Sequence, residues 1–455
     1  MKKILLKLLS SLAMLLVLPM PLSAHASIPI EHWTTPAGAR VYFVASPALP
    51  ILDVRIDFSA GSAFDPPGKA GLASLTSGLL DSGATLDGQV YDEERIAEKL
   101  ADLAASLGGS ADIDRAGLSL RTLATQPERT AALALMRAIL TAPTFPASVL
   151  EREKTRAAAA IEEAETRPSA IADRRFRQAL YPDHPYGAVP TVASVTSITR
   201  EDVVGYWRAH FGATRAVISI IGAVTRAEAE AIAAQLSDAL PAATEAVELP
   251  AVALPAAATV NVPHPAMQSH IHIGLPALRR GDADFFPLQV GNYILGGGGF
   301  VSRLMQEVRE KRGYAYSVYS QFEPRKLEGP FEIGLQTKRE QADAAVKLVN
   351  ATLDVFLAHG PTEKEMQAAK RNLVDGLALR LDSNAKILGH LAVIGFYGLP
   401  LDYLDEYPRR IAAVTADQVR EAFARHVRPE HLVTVIVAAD STDSANSTVP
   451  VDSAD

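Results

Sequence analysis

The sequence predicts an α+β protein of two homologous domains, each a mainly antiparallel sheet with helices packed on one side. Three observations carry that reading. First, segments alternating apolar and polar residues are interleaved with segments whose apolar residues recur at helical spacing. Second, the chain repeats itself. Ile198-Thr199-Arg200-Glu201-Asp202-Val203, through Trp207 and His210 to Val217-Ile218-Ser219-Ile220, matches Val414-Thr415-Ala416-Asp417-Gln418-Val419, through Phe423 and His426 to Val433-Thr434-Val435-Ile436, at an offset of 216 residues. The same offset pairs Leu150 and Lys154 with Met366 and Lys370. One offset holding across such separated blocks marks a duplicated unit. Third, Pro241 to Ala258 is dominated by alanine, proline, valine and leucine without a clear period, as expected of an interdomain linker.

In chain order, residues 1–26 read as a cleavable secretory signal. Lys2, Lys3 and Lys7 form its charged end, Leu8 to Leu18 its apolar core, and Ala24-His25-Ala26 a small-x-small site with cleavage after Ala26. The apolar run is shorter than the about 20 residues a membrane span needs, and no later segment qualifies. Losing the three lysines takes the net charge from −8 to −11, and a periplasmic or secreted protein is expected. The chain has no cysteine, so it has neither disulfides nor an acceptor for a lipid anchor.

The N-terminal domain is expected over residues 28–240. Arg40 to Ala45 and Ile51 to Phe58 read as a hairpin-like pair of strands separated by Pro47 and Pro50. Asp65-Pro66-Pro67-Gly68 is a loop. Leu72, Leu75 and Leu79 predict a helix, and Ile96, Leu100, Leu103 and Leu107 another, closed by Gly108-Gly109. Gly117 to Thr122 reads as a strand. Helical patterns run from Glu128 to Leu140, from Ser148 to Thr166 and after Pro168, and Arg215 to Ile221 is a β-branched strand. Thr199 and Thr415 are each followed three residues on by Asp202 or Gln418, a capping-box start.

The C-terminal domain is expected over residues 259–440, and the Ser/Asp/Thr-rich residues 441–455 form a tail expected to be disordered. Within this domain Gly296 to Gly299 makes a permissive turn. Val301, Leu304, Met305 and Val308 then predict a helix with Gly313 as its C-terminal cap. Tyr314 to Phe322 reads as a strand, Gly329-Pro330 as a turn and Phe331 to Thr337 as the returning strand. Arg309 thus falls in the last turn of a helix and Tyr316 early in the next strand, so that two long hydrogen-bond donors converge beside a sheet.

That pattern resembles the C-terminal half of the pitrilysin and mitochondrial-processing-peptidase (insulinase) family of zinc metallopeptidases, and the resemblance covers residue 28 to about 439. In that family a glycine run, a Ser-Arg-Leu helix (here Ser302-Arg303-Leu304) and an Arg…Tyr pair hold the substrate backbone, which implies a substrate-binding role for Arg309 and Tyr316. The family's first domain carries His-x-x-Glu-His, whose histidines four apart on a helix bind zinc while the glutamate activates water. Here Gly71-Leu72-Ala73 supplies the lead, Leu79-Leu80 and Gly83 follow in register, and the motif positions are Ser74, Ser77 and Gly78. None offers an imidazole or a carboxylate, and Gly78 inside a helix costs about 1 kcal/mol relative to alanine. The third ligand's place falls near Ala160, with Glu162 and Glu163 close enough to leave that assignment open.

The resemblance therefore implies no catalytic residue and no bound metal in this chain alone. It implies a non-catalytic subunit of a heterodimer, with peptide as substrate and zinc in a homologous partner. The alternative is a peptide-binding or scaffold subunit with no role in hydrolysis.

Other signals are weaker. The acidic balance argues against nucleic acid as a partner. His264, His270 and His272 include an His-x-His, a possible metal pair read as structural. His210 and His426 are repeat-related and also read as structural, as does His184 in the turn Asp183-His184-Pro185-Tyr186-Gly187. Asp112 and Asp114 read as solvated acids at a strand entrance. Gly296–Gly299 lacks the Gly-Lys-Ser/Thr of a phosphate loop, and no Gly-x-Ser-x-Gly nucleophile elbow is present.

Overall fold

The computed structural model describes residues 28–241 and 247–438. The expected signal segment 1–26, the linker residues 242–246 and the expected tail 441–455 lie outside the described residues. Two large sheets organise the rest. The first contains β1 (Glu31–Thr34), β2 (Arg40–Ala45), β3 (Ile51–Phe58), β6 (Ser106–Ala111), β7 (Ala116–Leu123) and β8 (Val217–Gly222), in the order β1-β2-β8-β3-β7-β6. A small hairpin, β4 (Gly83–Leu86) with β5 (Gln89–Asp92), stands apart from it. The second contains β9 (Ala258–Val262), β10 (Gln268–Leu278), β11 (Ala315–Phe322), β12 (Gly329–Lys338) and β13 (Val433–Val437), in the order β11-β12-β10-β13-β9.

Among the strands of the described residues, only β2 with β8, and β9 with β13, run parallel. Read outward from those pairs, β2-β8-β3-β7-β6 and β9-β13-β10-β12-β11 are one topology built twice. Val217 opening β8 and Val433 opening β13 stand at the offset of 216 seen in the sequence. Both capping boxes form, Thr199 with Asp202 and Thr415 with Gln418.

Several expected elements shift. β2 and β3 are strands but not a hairpin, because β8 lies between them and pairs with both. All six residues of β8 are buried, and a strand apolar on both faces belongs in a sheet interior; alternation within β2 and β3 does not reveal which neighbour they choose. The second helix ends at Asp102 rather than Leu107. Ala104 takes a left-handed conformation, with φ 48, and Leu107 and both glycines enter β6. Gly329-Pro330 lies within β12. A Cβ on Gly329 would sit 1.9 Å from the Glu323 carbonyl, so the glycine permits a close approach instead of a turn.

Each sheet packs its own half's helices on one face. The opposite face is covered by a helix exchanged from the other half. The helix Pro168–Leu180 lies on β10 and β13, where Phe176 and Leu180 meet Val433, Val435 and Val437. Its mate 216 residues later, Asn384–Tyr397, lies on β8, β3 and β2, where Leu388, Leu391 and Ile394 meet Val44, Val217 and Ile221. Strands apolar on both faces need cover on both, and the duplication supplies it reciprocally. No helix among the described residues is long and apolar enough to cross a membrane.

Candidate functional site

The stretch expected to hold Arg309 and Tyr316 forms in a tighter way than a free turn and a helix. The helix Phe285–Asn292 continues as a π-type turn over Tyr293–Gly297, then a 3-10 turn over Gly299–Val301. Val301 therefore precedes the next helix and is 63% exposed, while Leu304, Met305 and Val308 are buried as expected. Ser302 donates from its hydroxyl to the Gly299 carbonyl at 2.7 Å. Arg303 locks the new helix to a neighbour through paired bonds of 2.7 and 2.8 Å to Glu365. That helix widens to π spacing over Met305–Glu310, a form that recurs where a side chain is re-aimed. Gly313 ends it at φ 64, and its N–H donates to the Arg309 carbonyl at 2.9 Å.

Arg309 and Tyr316 do meet. The guanidinium of Arg309 lies 5.0 Å from the centroid of the Tyr316 ring and 4.7 Å from that of Phe300. Tyr316 is 84% exposed and Phe300 64%. Among the described residues neither the guanidinium of Arg309 nor the hydroxyl of Tyr316 has a hydrogen-bond or ion-pair partner. Ring faces balance the cation without taking its in-plane N–H donors. The pair lines an open cavity of about 640 Å³ whose floor is Gly296, Gly297 and Gly299 and whose far wall is Val318 to Gln321. A Cβ on Gly296 would stand 2.3 Å from the Ser320 nitrogen, so that glycine sets how closely the turn approaches β11. Beside it, Tyr319 donates to Glu332 at 2.9 Å.

The corresponding metal position in the first half is empty of ligands by residue type. The helix Leu72–Gly78 turns Ser74 and Gly78 to one exposed face. Ser77, where the family's glutamate stands, is 1% exposed and donates to the Ser110 carbonyl at 3.0 Å. Gly78 is the last helical residue, so its helix penalty is smaller than an interior position implies. Asp65 receives the N–H groups of Gly71 and Ala73 at 2.8 and 2.7 Å and so caps this helix. Burial, working against those bonds, raises its carboxyl to about 6. Ala160, Glu162 and Glu163 are all exposed on the helix Ala147–Ala164. Hydroxyl, hydroxyl and hydrogen do not make a zinc site. These residues do not fit the metal.

His264, His270 and His272 form no ligand cluster; the one group of three potential ligands among the described residues is Asp282, Asp284 and His426, and Arg425 already pairs with Asp284 at 2.8 Å. His272 lies between Asp173 at 3.0 Å and Glu332 at 2.7 Å. Burial opposes its charge, but the two carboxylates outweigh burial and raise it to about 9. His210 and His426 each bond a main-chain carbonyl, of Ser59 and Ala277. His184 accepts the Tyr186 N–H and binds the Pro250 carbonyl, holding the linker.

Asp114 corrects the sequence reading. It is 0% exposed and joins the two halves: Tyr186 donates to it at 2.6 Å, Tyr397 at 2.8 Å and the Lys326 N–H at 2.8 Å. Its partners are up to 283 positions away, beyond any local pattern. Asp112 is partly solvated and binds Arg115 at 2.9 Å.

Comparison with known proteins bears on the whole chain. The family model described as Insulinase (Peptidase family M16) matches residues 40–189, and the one described as Peptidase M16 inactive domain matches residues 197–373. A non-peptidase homolog, YmxG of Helicobacter pylori, is 25% identical over 414 residues, covering 90% of this chain and 93% of that protein. An uncharacterised zinc protease of Streptomyces coelicolor is 28% identical over 261 residues, 55% of this chain and 56% of that one. Among solved structures, a peptidase M16 inactive domain from Pseudomonas fluorescens superposes with a TM-score of 0.86 at 37% identity, covering 90% of this chain and 98% of that one. The periplasmic protease PqqL of Escherichia coli shares the fold, with a TM-score of 0.77 at 16% identity, and this chain covers 46% of its length. Matches to both M16 models, end-to-end likeness to an M16 inactive domain and a motif helix without ligands lead to one assignment: the protein belongs to the insulinase (M16) peptidase family, as an inactive, non-peptidase member.

Proposed function

We propose that this chain is the non-catalytic subunit of a heterodimeric zinc peptidase, periplasmic or secreted, which binds and orients peptide through Arg309 and Tyr316 while a homologous partner carries the zinc. One observation carries the reading: the two donors stand side by side on an open cavity with no partner of their own. The coverage of 46% of the longer periplasmic protease supports it, since a second unit of similar size fits beside the first. The signal-like N-terminus supports the compartment.

In this reading the partner's zinc supplies the activated water, and this chain supplies hydrogen bonds. Tyr316 donates its phenolic O–H, and Arg309 its in-plane N–H groups, to the carbonyl oxygen and neighbouring backbone of the bound peptide. A preorganised donor aimed at the oxygen where charge develops is worth about 2.7–4 kcal/mol of barrier. Tyr316→Phe keeps the ring and removes the donor, so assembly is unchanged while kcat/KM of the reconstituted pair falls about tenfold or more. Arg309→Lys fails to rescue, because an ammonium lacks the guanidinium's fork of donors. The measurement is kcat/KM on a peptide with the partner at saturation.

A second reading, a peptide-binding scaffold with no role in hydrolysis, is favoured by the exposed apolar surface of Phe300, Val301 and Tyr316 around the same cavity. Variants that assemble and cleave like wild type would select it.

A further inference from the structure

We propose that the cleft between the two halves is an oxyanion-binding site, taking a carboxylate or a phosphate, formed by Arg177, Arg280 and Arg325. The cleft is about 600 Å³ and runs from Gly71 and Ser74 on the first half to Phe322, Pro324 and Tyr397 on the second. Four arginines line it; Arg115 is already paired with Asp112 and Asp57, and the other three come from separate elements. Arg177 is on the exchanged helix Pro168–Leu180, Arg280 follows β10, and Arg325 is in the connection between β11 and β12. The N–H of Arg280 donates to the Arg325 carbonyl at 2.7 Å, which fixes the two main chains side by side.

The cleft's own carboxylates are committed elsewhere. Asp114 holds two phenols and a backbone N–H. Asp112 holds Arg115 and two backbone N–H groups. Asp65 caps the helix behind Ser74. Glu323 touches Arg325 through one nitrogen at 3.3 Å and takes Gln321 at 3.0 Å. Among the described residues the side chains of Arg177 and Arg280 make no hydrogen bond or ion pair; the Tyr397 ring lies 5.5 Å from the Arg280 guanidinium, whose charge also reaches Tyr403 and His390.

Nε of Arg280 and Nη1 of Arg325 are buried in this cleft with no acceptor, as is Nη1 of Arg115, which has only Asp57 at 3.6 Å. A buried donor without an acceptor is destabilising. Partial desolvation, reinforced by the charge of Arg325, also pushes the Arg177 pKa down against the opposing pull of Glu323 and Asp173, although the side chain keeps an exposed face. The unmet donors of Arg280 and Arg325, with the exposed Arg177 guanidinium lining the same cleft, are a cost to the fold that a bound oxyanion removes, since carboxylate and phosphate oxygens match the guanidinium fork.

The inference is independent of any partner, and its failure would leave Arg309 and Tyr316 untouched. The test is calorimetric titration at fixed ionic strength with succinate, with inorganic phosphate, and with a short peptide carrying either a free or an amidated C-terminus. At least one oxyanion binds in the millimolar range or tighter, and the probe that binds identifies the source: phosphate, free carboxylate or peptide terminus. Arg280→Gln and Arg177→Gln each weaken binding about tenfold. Arg177→Gln also raises the Tm of the ligand-free protein, because it relieves the like charge beside Arg325. Failure of every probe to bind overturns the proposal, as does unaltered binding in Arg177→Gln, whose exposed position keeps that variant folded should Arg280→Gln not fold. A lower ligand-free Tm in Arg177→Gln overturns the like-charge argument and the proposal with it.

Discussion

β6 and β11 occupy the same edge position in two sheets of the same topology, and they do opposite things. β6 is Ser-Leu-Gly-Gly-Ser-Ala, and it closes against the helix Leu72–Gly78 so tightly that a Cβ on Gly109 would stand 2.3 Å from the Ser77 carbonyl. β11 is Ala-Tyr-Ser-Val-Tyr-Ser-Gln-Phe; it meets Gly296 just as closely at Ser320, but beside that contact it leaves an open cavity with Tyr316 at its rim. Backbone architecture is common to both. Side-chain volume at the edge decides which half keeps a place for a ligand, and function in a duplicated fold can be divided without changing topology.

The comparison breaks most visibly if the halves are not one unit. Asp114→Ala leaves two phenols and an N–H without an acceptor, each a penalty of about 1–3 kcal/mol. The total loss of unfolding free energy is therefore expected at about 3 kcal/mol or more, read from the denaturant midpoint, with Asp114→Asn milder because it keeps an acceptor. A change below about 1 kcal/mol would mean that the halves do not depend on this joint.

A second handle is pH. His272, with side-chain exposure of 10%, bridges the exchanged helix and the second sheet through Asp173 and Glu332. Its pKa in the fold, about 9, stands above the ordinary 6.5. The stability it contributes is accordingly complete below pH 6.5 and is lost as pH rises through 9, at most about 3 kcal/mol by linkage. His272→Gln should flatten that slope in a Tm-versus-pH series. Asp65, raised to about 6, acts in a lower window: its contribution declines between its ordinary pKa and about 6, so the two slopes are separable.

The third test sharpens the contrast at the lost metal helix. Restoring the motif with Ser74→His, Ser77→Glu and Gly78→His is expected to yield no stoichiometric zinc by metal analysis. Position 77 is buried against Ser110 and Gly109, and Ala160 offers no third ligand. The triple variant should lose about 1–3 kcal/mol, because it overpacks that contact and buries an unpaired carboxylate. Tight zinc binding would show that side chains alone had closed the site. The smallest effect is expected from cutting the linker between residues 247 and 257. The fragments should co-elute on gel filtration, since each half keeps the other's helix on its sheet. Separation would show that the exchanged helices do not hold the halves together.

Legibility followed the range of the interactions. The helices Leu72–Gly78, Glu128–Thr141 and Ala147–Ala164 were visible because helical period is local. So was the neighbourhood of Arg309 and Tyr316, seven residues apart across a single helix end. Leu107 was misplaced because a leucine four after Leu103 satisfies helical spacing, while the left-handed Ala104 that ends the run carries no glycine to announce it. Asp114 looked like a solvated acid because Tyr186 and Tyr397 reach it only in the fold.

From the sequence alone came the duplication, the α+β class, the missing zinc ligands and the Arg–Tyr pair, all set by residue identity, local period or a constant offset. Tertiary structure alone decided that β8 separates β2 from β3, that the two halves exchange helices, that Asp114 joins them and that four arginines share one cleft. The reason is that strand partners, two-faced burial and converging charges depend on which distant segments come together, and no local spacing encodes that.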